Sequence, residues 1–233
     1  MNSDDVAKEL RKLADKEKAA FLLRFFKTGK GQYGEGDVFW GITVPAQRAV
    51  AKKYKNLPLT KTETLIQSPI HECRLTGLLI LTCQFASAGE KTKKQIYDFY
   101  LSHTKHINNW DLVDLSSHEI VGGWLVSHPE ERSILTKLAK SKNLWERRIA
   151  MISTFEFLRN NEWKETLAIA EVLFHDEHDL IHKAVGWGLR EVGKRNLAAE
   201  EEFLKKHYKT MPRTMLRYAI ERFPQKKRKF YLA

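Results

Sequence analysis

The chain of 233 residues has only two cysteines, Cys73 and Cys83, ten positions apart in one apolar stretch. No CxxC pair occurs, which argues against a zinc ribbon or a thioredoxin-like redox pair. Two buried free thiols in a reducing compartment are the expected state. No apolar run approaches the roughly 20 residues that a membrane-spanning helix needs. The opening MNSDDVAKELRK is acidic, then amphipathic, and lacks the apolar core of a signal peptide. A cytoplasmic protein without a membrane partner is therefore expected. Alternating strand patterns and hairpin turns are missing, and so are a Walker A loop, a GxSxG elbow and HExxH. One literal GxGxxG occurs, at Gly29, Gly31 and Gly34. It follows no strand and sits in no βαβ unit, so it is not a dinucleotide fingerprint. KGQYGEGD reads instead as a connection whose glycines let backbone approach a ligand, with Tyr33 placed to stack or hydrogen-bond.

Positive charge is what the chain has in excess. Forty Lys and Arg against 29 Asp and Glu give a net charge of +11. Such a field favours polyanions, nucleic acid first and anionic membrane surfaces second. The excess is uneven: Lys205 to Lys229 holds ten Lys or Arg and one acid, Glu221. Arg213 and Arg217 lie one helical turn apart, opposite Leu216, Ile220 and Phe223. That placement suits phosphates, although a solvated basic face would look the same.

Apolar residues recur at helical spacing along nearly the whole chain, beginning with Val6, Leu10, Leu13, Phe21, Leu22, Phe25 and Phe26. Pro45 reads as the opening of a helix over 46–54. Thr60 with Glu63 reads as a capping box, and Ser68–Pro69 as the start of a long helix to Phe85. Further helices are expected over about 90–103, 109–127, 129–140, 143–159, 162–174, 178–194, 198–209, 212–222 and 224–231. The fold class is therefore all-α. Helix pairs recur at about 35 to 40 residues. LWERRIAMISTFEFL and LIHKAVGWGLREVGK both open with Leu, carry early basic residues and place Ala a turn further on, and PIHECRLTGLLILTCQF has the same look. This is the self-similarity of HEAT-like antiparallel helix pairs stacked into a curved superhelical solenoid, a single repeat domain over 1–233. A non-repetitive bundle is the competing arrangement.

Several constellations carry candidate chemistry. His175, His178 and His182 follow helical spacing among Asp176, Glu177 and Asp179, but histidines a turn apart in an acidic helix entry are more readily caps than metal ligands. In HKAVGWGLREVGK, Lys183, Trp187, Glu191 and Lys194 share a face, with Arg190 beside it. Gly186 and Gly188 each cost up to ~1 kcal/mol in a helix. Either close approach of a large ligand or tight helix packing would compensate. Arg147 and Arg148 point about 100° apart, so at most one of them faces a central groove and the other faces flanking solvent or pairs with an acid such as Glu146 or Glu119. In NNWDLVD, Trp110 and Asp114 share a helix face. Asp114 either caps or salt-bridges, or serves as the lone carboxylate that stabilises a sugar cation when a C–N glycosidic bond breaks.

NNWDLVD, LWERRIA, KAVGWGLREVGK and PRTMLRYAIE, with KGQYGEGDVFWGITVPAQR, resemble the AlkD-type DNA alkylation-repair glycosylases from about Phe25 to the C-terminus. The resemblance implies a HEAT-like solenoid with a basic DNA groove. It implies hydrolytic loss of N3- or N7-alkylated purines from double-stranded DNA, with no metal and no organic cofactor, by a monomer that is nucleoid-associated when DNA-bound. By that likeness Asp114 is catalytic, Trp110 and Trp187 pack against the lesioned nucleotide, and Arg148 contacts phosphate. Tyr33 is the candidate for a further aromatic contact. Lys183, Arg190, Arg213 and Arg217 are the remaining DNA-binding candidates, and Asp111 is structural. A HEAT-like binder of DNA structures without catalysis is the alternative.

Overall fold

In the computed structural model, which describes residues 1–233, the amphipathic stretch from Val6 to Phe26 forms two helices, α1 (Ser3–Lys12) and α2 (Lys16–Phe25). Asp15 separates them, its carboxylate accepting from the amides of Glu17 and Lys18 at 3.0 Å. That contact satisfies two of the donors a helix start leaves open. Next come α3 (Val44–Lys53), α4 (Leu59–Ile66), α5 (His71–Ser87), α6 (Glu90–Ser102) and α7 (Trp110–Asp114). They are followed by α8 (Gly123–Ser127), α9 (Ser133–Ala139), α10 (Leu144–Arg159), α11 (Lys164–Val172), α12 (Asp179–Gly193), α13 (Leu197–His207), α14 (Arg213–Ala219) and α15 (Gln225–Leu232). The chain is all-α and helical-repeat in organisation, as expected. It contains no strand, only an isolated parallel bridge between Val38 and Ile70. No helix is long and apolar enough to cross a membrane.

Contacts divide the chain into two compact units, 1–120 and 121–233. In the first, α5 is the centre and packs against α1, α3, α4, α6 and α7. Every residue of α5 from His71 to Thr82 is buried. Burying an aliphatic side chain such as Leu79 or Ile80 stabilises by roughly 1.5–3 kcal/mol. In the second unit α12 has that role, packed against α10, α11, α13 and α14.

Two local expectations need correction. The stretch over 109–127 is not one helix: α7 ends at Asp114, and His118–Gly122 forms a π-turn before α8. Ser116 turns its hydroxyl back onto the Leu112 carbonyl and also meets the Tyr100 hydroxyl at 2.9 Å, the kind of back-bonding that bends a helix. Gly122 then lets α10 in, since a Cβ there would collide with the Ser153 carbonyl. Thr60 does not cap α4 either. The helix starts at Leu59 after Pro58, and Glu63 is engaged by Gln67 at 3.1 Å and by His103 at 3.0 Å. A proline that lacks an N–H anyway is well suited to a helix entrance.

Candidate nucleic-acid interface

In the first unit the candidate residues are set by α7. Asn109 caps it, accepting from the Trp110 amide at 2.8 Å. One turn of helix then places Trp110 and Asp114 on the same side, both half-buried, while Asp111 points about 100° away into the core. Phe26 stacks on Trp110 with centroids 5.1 Å apart and planes 14° from parallel. Phe25 meets the same indole edge-on at 6.0 Å, and Phe21 stacks on Phe25 at 5.7 Å. Phe21 and Phe25 are 56% and 52% exposed. These rings continue the aromatic surface of Trp110 into solvent. Asp114 carries its charge close enough to the buried Tyr100 to act on it. Burial first, and the Asp114 charge in addition, push the Tyr100 hydroxyl well above its ordinary pKa, so it stays a neutral dipole.

Asp111 is structural, as expected, and its partner is specific. Asp111 Oδ2 lies 2.8 Å from Nε2 of buried His71, and Asp37 Oδ2 lies 3.1 Å from Nδ1. Arg74 donates to the other Asp37 oxygen at 2.5 Å. Asn109 donates from its amide to Asp37 at 3.0 Å. Asp114, the other carboxylate of α7, is half-buried on the face that carries Trp110.

In the second unit α12 carries Lys183, Trp187 and Arg190. Lys183 pairs with Asp179 at 2.7 Å, Trp187 is half-buried with its edge to Phe155 at 4.6 Å, and Arg190 is ion-paired with Glu221. The two helix glycines are explained by packing. A Cβ at Gly186 would strike the Met215 carbonyl of α14, and one at Gly188 would strike the methyl of Met151 on α10. Arg213 and Arg217 lie exposed on α14, the helix packed against α12, and Arg213 donates to the Leu232 carbonyl at 2.6 Å. Arg147 and Arg148 diverge as their spacing requires. Arg147 pairs with Asp176 at 2.5 Å, whereas Arg148 is 5% exposed and donates to the Leu180 carbonyl at 2.5 Å. Among the histidines, His178 caps the Leu180 amide at 3.1 Å, His182 meets the Asp176 carbonyl, and His175 lies edge-on to Phe174.

Tyr33 sits half-buried in the glycine loop, and Phe25 and Phe26 both meet the Trp110 ring. Phe25 and Phe26 both belong to the apolar pattern of the Val6–Phe26 stretch. Adjacent residues point about 100° apart, so the doublet itself signals that only one of the two faces the core.

The same arrangement of helices is found in known structures. The chain superposes on a protein described as a predicted DNA alkylation repair enzyme from Enterococcus faecalis with a TM-score of 0.72 at 20% identity, over 91% of this chain and 97% of the other. AlkD2 from Streptococcus mutans gives a TM-score of 0.58 at 16% identity, over 90% and 99%. Smu.31 from Streptococcus mutans UA159 gives 0.53 at 18% identity, over 93% and 95%. No curated protein sequence matches the chain. Residues 6–223 match the family described as DNA alkylation repair enzyme, and the chain belongs to that family.

Proposed function

We propose that the protein is a DNA glycosylase that hydrolyses the N-glycosidic bond of N3- or N7-alkylated purines in double-stranded DNA. The observation that carries this reading is the split of the two carboxylates on α7. Asp111 is buried against His71, while Asp114 is half-buried on the face of α7 that carries Trp110, whose ring meets the exposed Phe25. Alkylation at N3 or N7 gives the purine a positive charge, so it leaves with its bonding pair and needs little help from an acid. The departing base leaves positive charge on the sugar. Asp114 stabilises that charge and orients the water that adds to the anomeric carbon. Trp110 and Phe25 present apolar, electron-rich surface to the sugar and backbone of the damaged nucleotide.

Phosphates are met by the basic side chains of the second unit. Lys183 and Arg190 exchange Asp179 and Glu221 for phosphate, and Arg213 and Arg217 add exposed positive charge. Arg148 offers little open surface, so its influence on binding runs largely through α12, which its bond to Leu180 tethers, with Trp187 on the same helix. Tyr33, half-buried in the glycine loop, is a further aromatic contact, and Phe25 adds an exposed ring beside Trp110.

The test is release of alkylated purine from methylated duplex DNA, comparing wild type with Asp114→Asn. Release by wild type and its loss in the variant support the reading. A wild type that releases nothing, yet binds duplex with a steep salt dependence, would make the protein a non-catalytic binder of DNA.

A further inference from the structure

The buried cluster under α7 takes no part in that chemistry as described. Asp37, His71, Arg74 and Asp111 are 7%, 2%, 4% and 6% exposed. Both ring nitrogens of His71 face carboxylate oxygens, at 2.8 and 3.1 Å. A neutral imidazole has one N–H and one lone pair and satisfies only one such neighbour; an imidazolium donates to both. With His71 charged, two cations balance two anions in a space where an uncompensated charge is costly. The second oxygen of Asp111 is buried without a hydrogen-bond partner, so His71 is the hydrogen-bond donor that compensates that carboxylate.

Three routes lead from the imidazole to α7. Through Nε2 it holds Asp111 itself. Through Nδ1 it holds Asp37, which accepts from Asn109, the cap of Trp110. Through its ring it meets Phe26, tilted, at 5.1 Å between centroids, and Phe26 stacks on Trp110. We infer that His71 is a positioning residue: as a buried imidazolium it clamps α7 and thereby sets where Trp110 and Asp114 stand. The consequence for catalysis rests on the glycosylase reading; the clamp itself does not.

The charged groups facing His71 are Asp37 from the loop before α3, Asp111 from α7 and Arg74 on its own helix. Glu72, its neighbour, is turned to the amides of Trp40, Gly41 and Ile42. Burial opposes the imidazolium, but Asp111 and Asp37 outweigh it and hold the pKa at about 9. The clamp is whole below the ordinary histidine range and is lost as pH rises through about 9. Above that pH one carboxylate faces a lone pair and α7 loosens.

Fluorine NMR of protein labelled with 5-fluorotryptophan tests this. Trp110→Phe assigns the Trp110 line, and the Trp187 line of the second unit serves as reference. In Asp111→Asn and His71→Gln the Trp110 line is expected to shift or broaden while Trp187 stays. In wild type it is expected to move with a midpoint near about 9. In the release assay both variants are expected to lose kcat, on the order of tenfold to a hundredfold, with DNA affinity kept. A Trp110 line that holds its wild-type position and width in a folded variant and throughout the wild-type titration overturns the clamp. If His71→Gln does not fold, Asp111→Asn and the titration still decide. A line that moves in a protein with no release activity upholds the clamp and sinks the glycosylase reading. A line that moves while both variants keep full kcat removes the link to catalysis.

Discussion

Trp110 and Phe26 lie face to face, 5.1 Å between ring centroids, although one opens α7 and the other closes α2. Aromatic pairs of this kind contribute roughly 0.5–1.5 kcal/mol beyond the area they bury. Here the pairing also backs the indole with a buried ring, while Phe25 bounds its edge. The indole is thus fixed from beneath and beside, and what it leaves open is a defined surface.

The two aspartates of α7 should separate cleanly. Asp114→Asn is expected to lower purine release by roughly 10²-fold or more, the scale of losing a preorganised electrostatic contact, with the melting temperature little changed. Asp111→Ala is expected to cost roughly 3–5 kcal/mol of stability, because it strips a buried cation of its partner. Calorimetry beside the release assay reads both. Equal melting temperatures for the two variants would contradict the division.

Phe25→Ala should weaken release or DNA binding without destabilising the fold, since the ring is 52% exposed. Phe26→Ala, at 6% exposure, should destabilise by roughly 3–5 kcal/mol. Denaturant midpoints for the pair decide which ring is core.

Gly186→Ala and Gly188→Ala test whether packing alone explains those glycines. Each added methyl meets α14 or α10, and overpacking typically costs roughly 1–3 kcal/mol. Lowered urea midpoints in the absence of DNA are expected. Unchanged midpoints combined with lost DNA affinity would restore the ligand-approach explanation.

Glu200 makes a pH prediction of opposite origin to His71. Burial, with Glu201 adding to it, pushes its carboxyl up to about 8, and one of its oxygens has no hydrogen-bond partner. The folded state therefore binds a proton that the unfolded state releases near the ordinary 4.5, so this group costs stability progressively from there up to about pH 8. Glu200→Gln should flatten that slope and exceed wild type in melting temperature at the alkaline end. A steeper slope in the variant would refute the assignment.

Helix type and order were legible because 3.6-residue periodicity is carried by the many buried positions of helices such as α10 and α12. Their bounds fell within two residues of expectation. The break after Asp114 was not legible: Ser116 bonding back to Leu112 and the approach of α10 at Gly122 are contacts that periodicity does not encode. Trp110 and Asp114 stood out by spacing. The His71 cluster did not, since its members are 34 to 74 positions apart for His71 to Asp37 and Asp111 to Asp37, and nothing local marks them. The bond from Arg148 to the Leu180 carbonyl, 32 positions on, was equally invisible locally.

Glu72 gathers the amides of Trp40, Gly41 and Ile42 at 2.7 to 3.2 Å from within the core. These three N–H groups belong to no helix or strand, yet each is locked to a buried acceptor. In deuterated water the loop should exchange its protons as slowly as the helix behind it. Its release would then require α5 to open, which couples an irregular segment to the most cooperative part of the first unit.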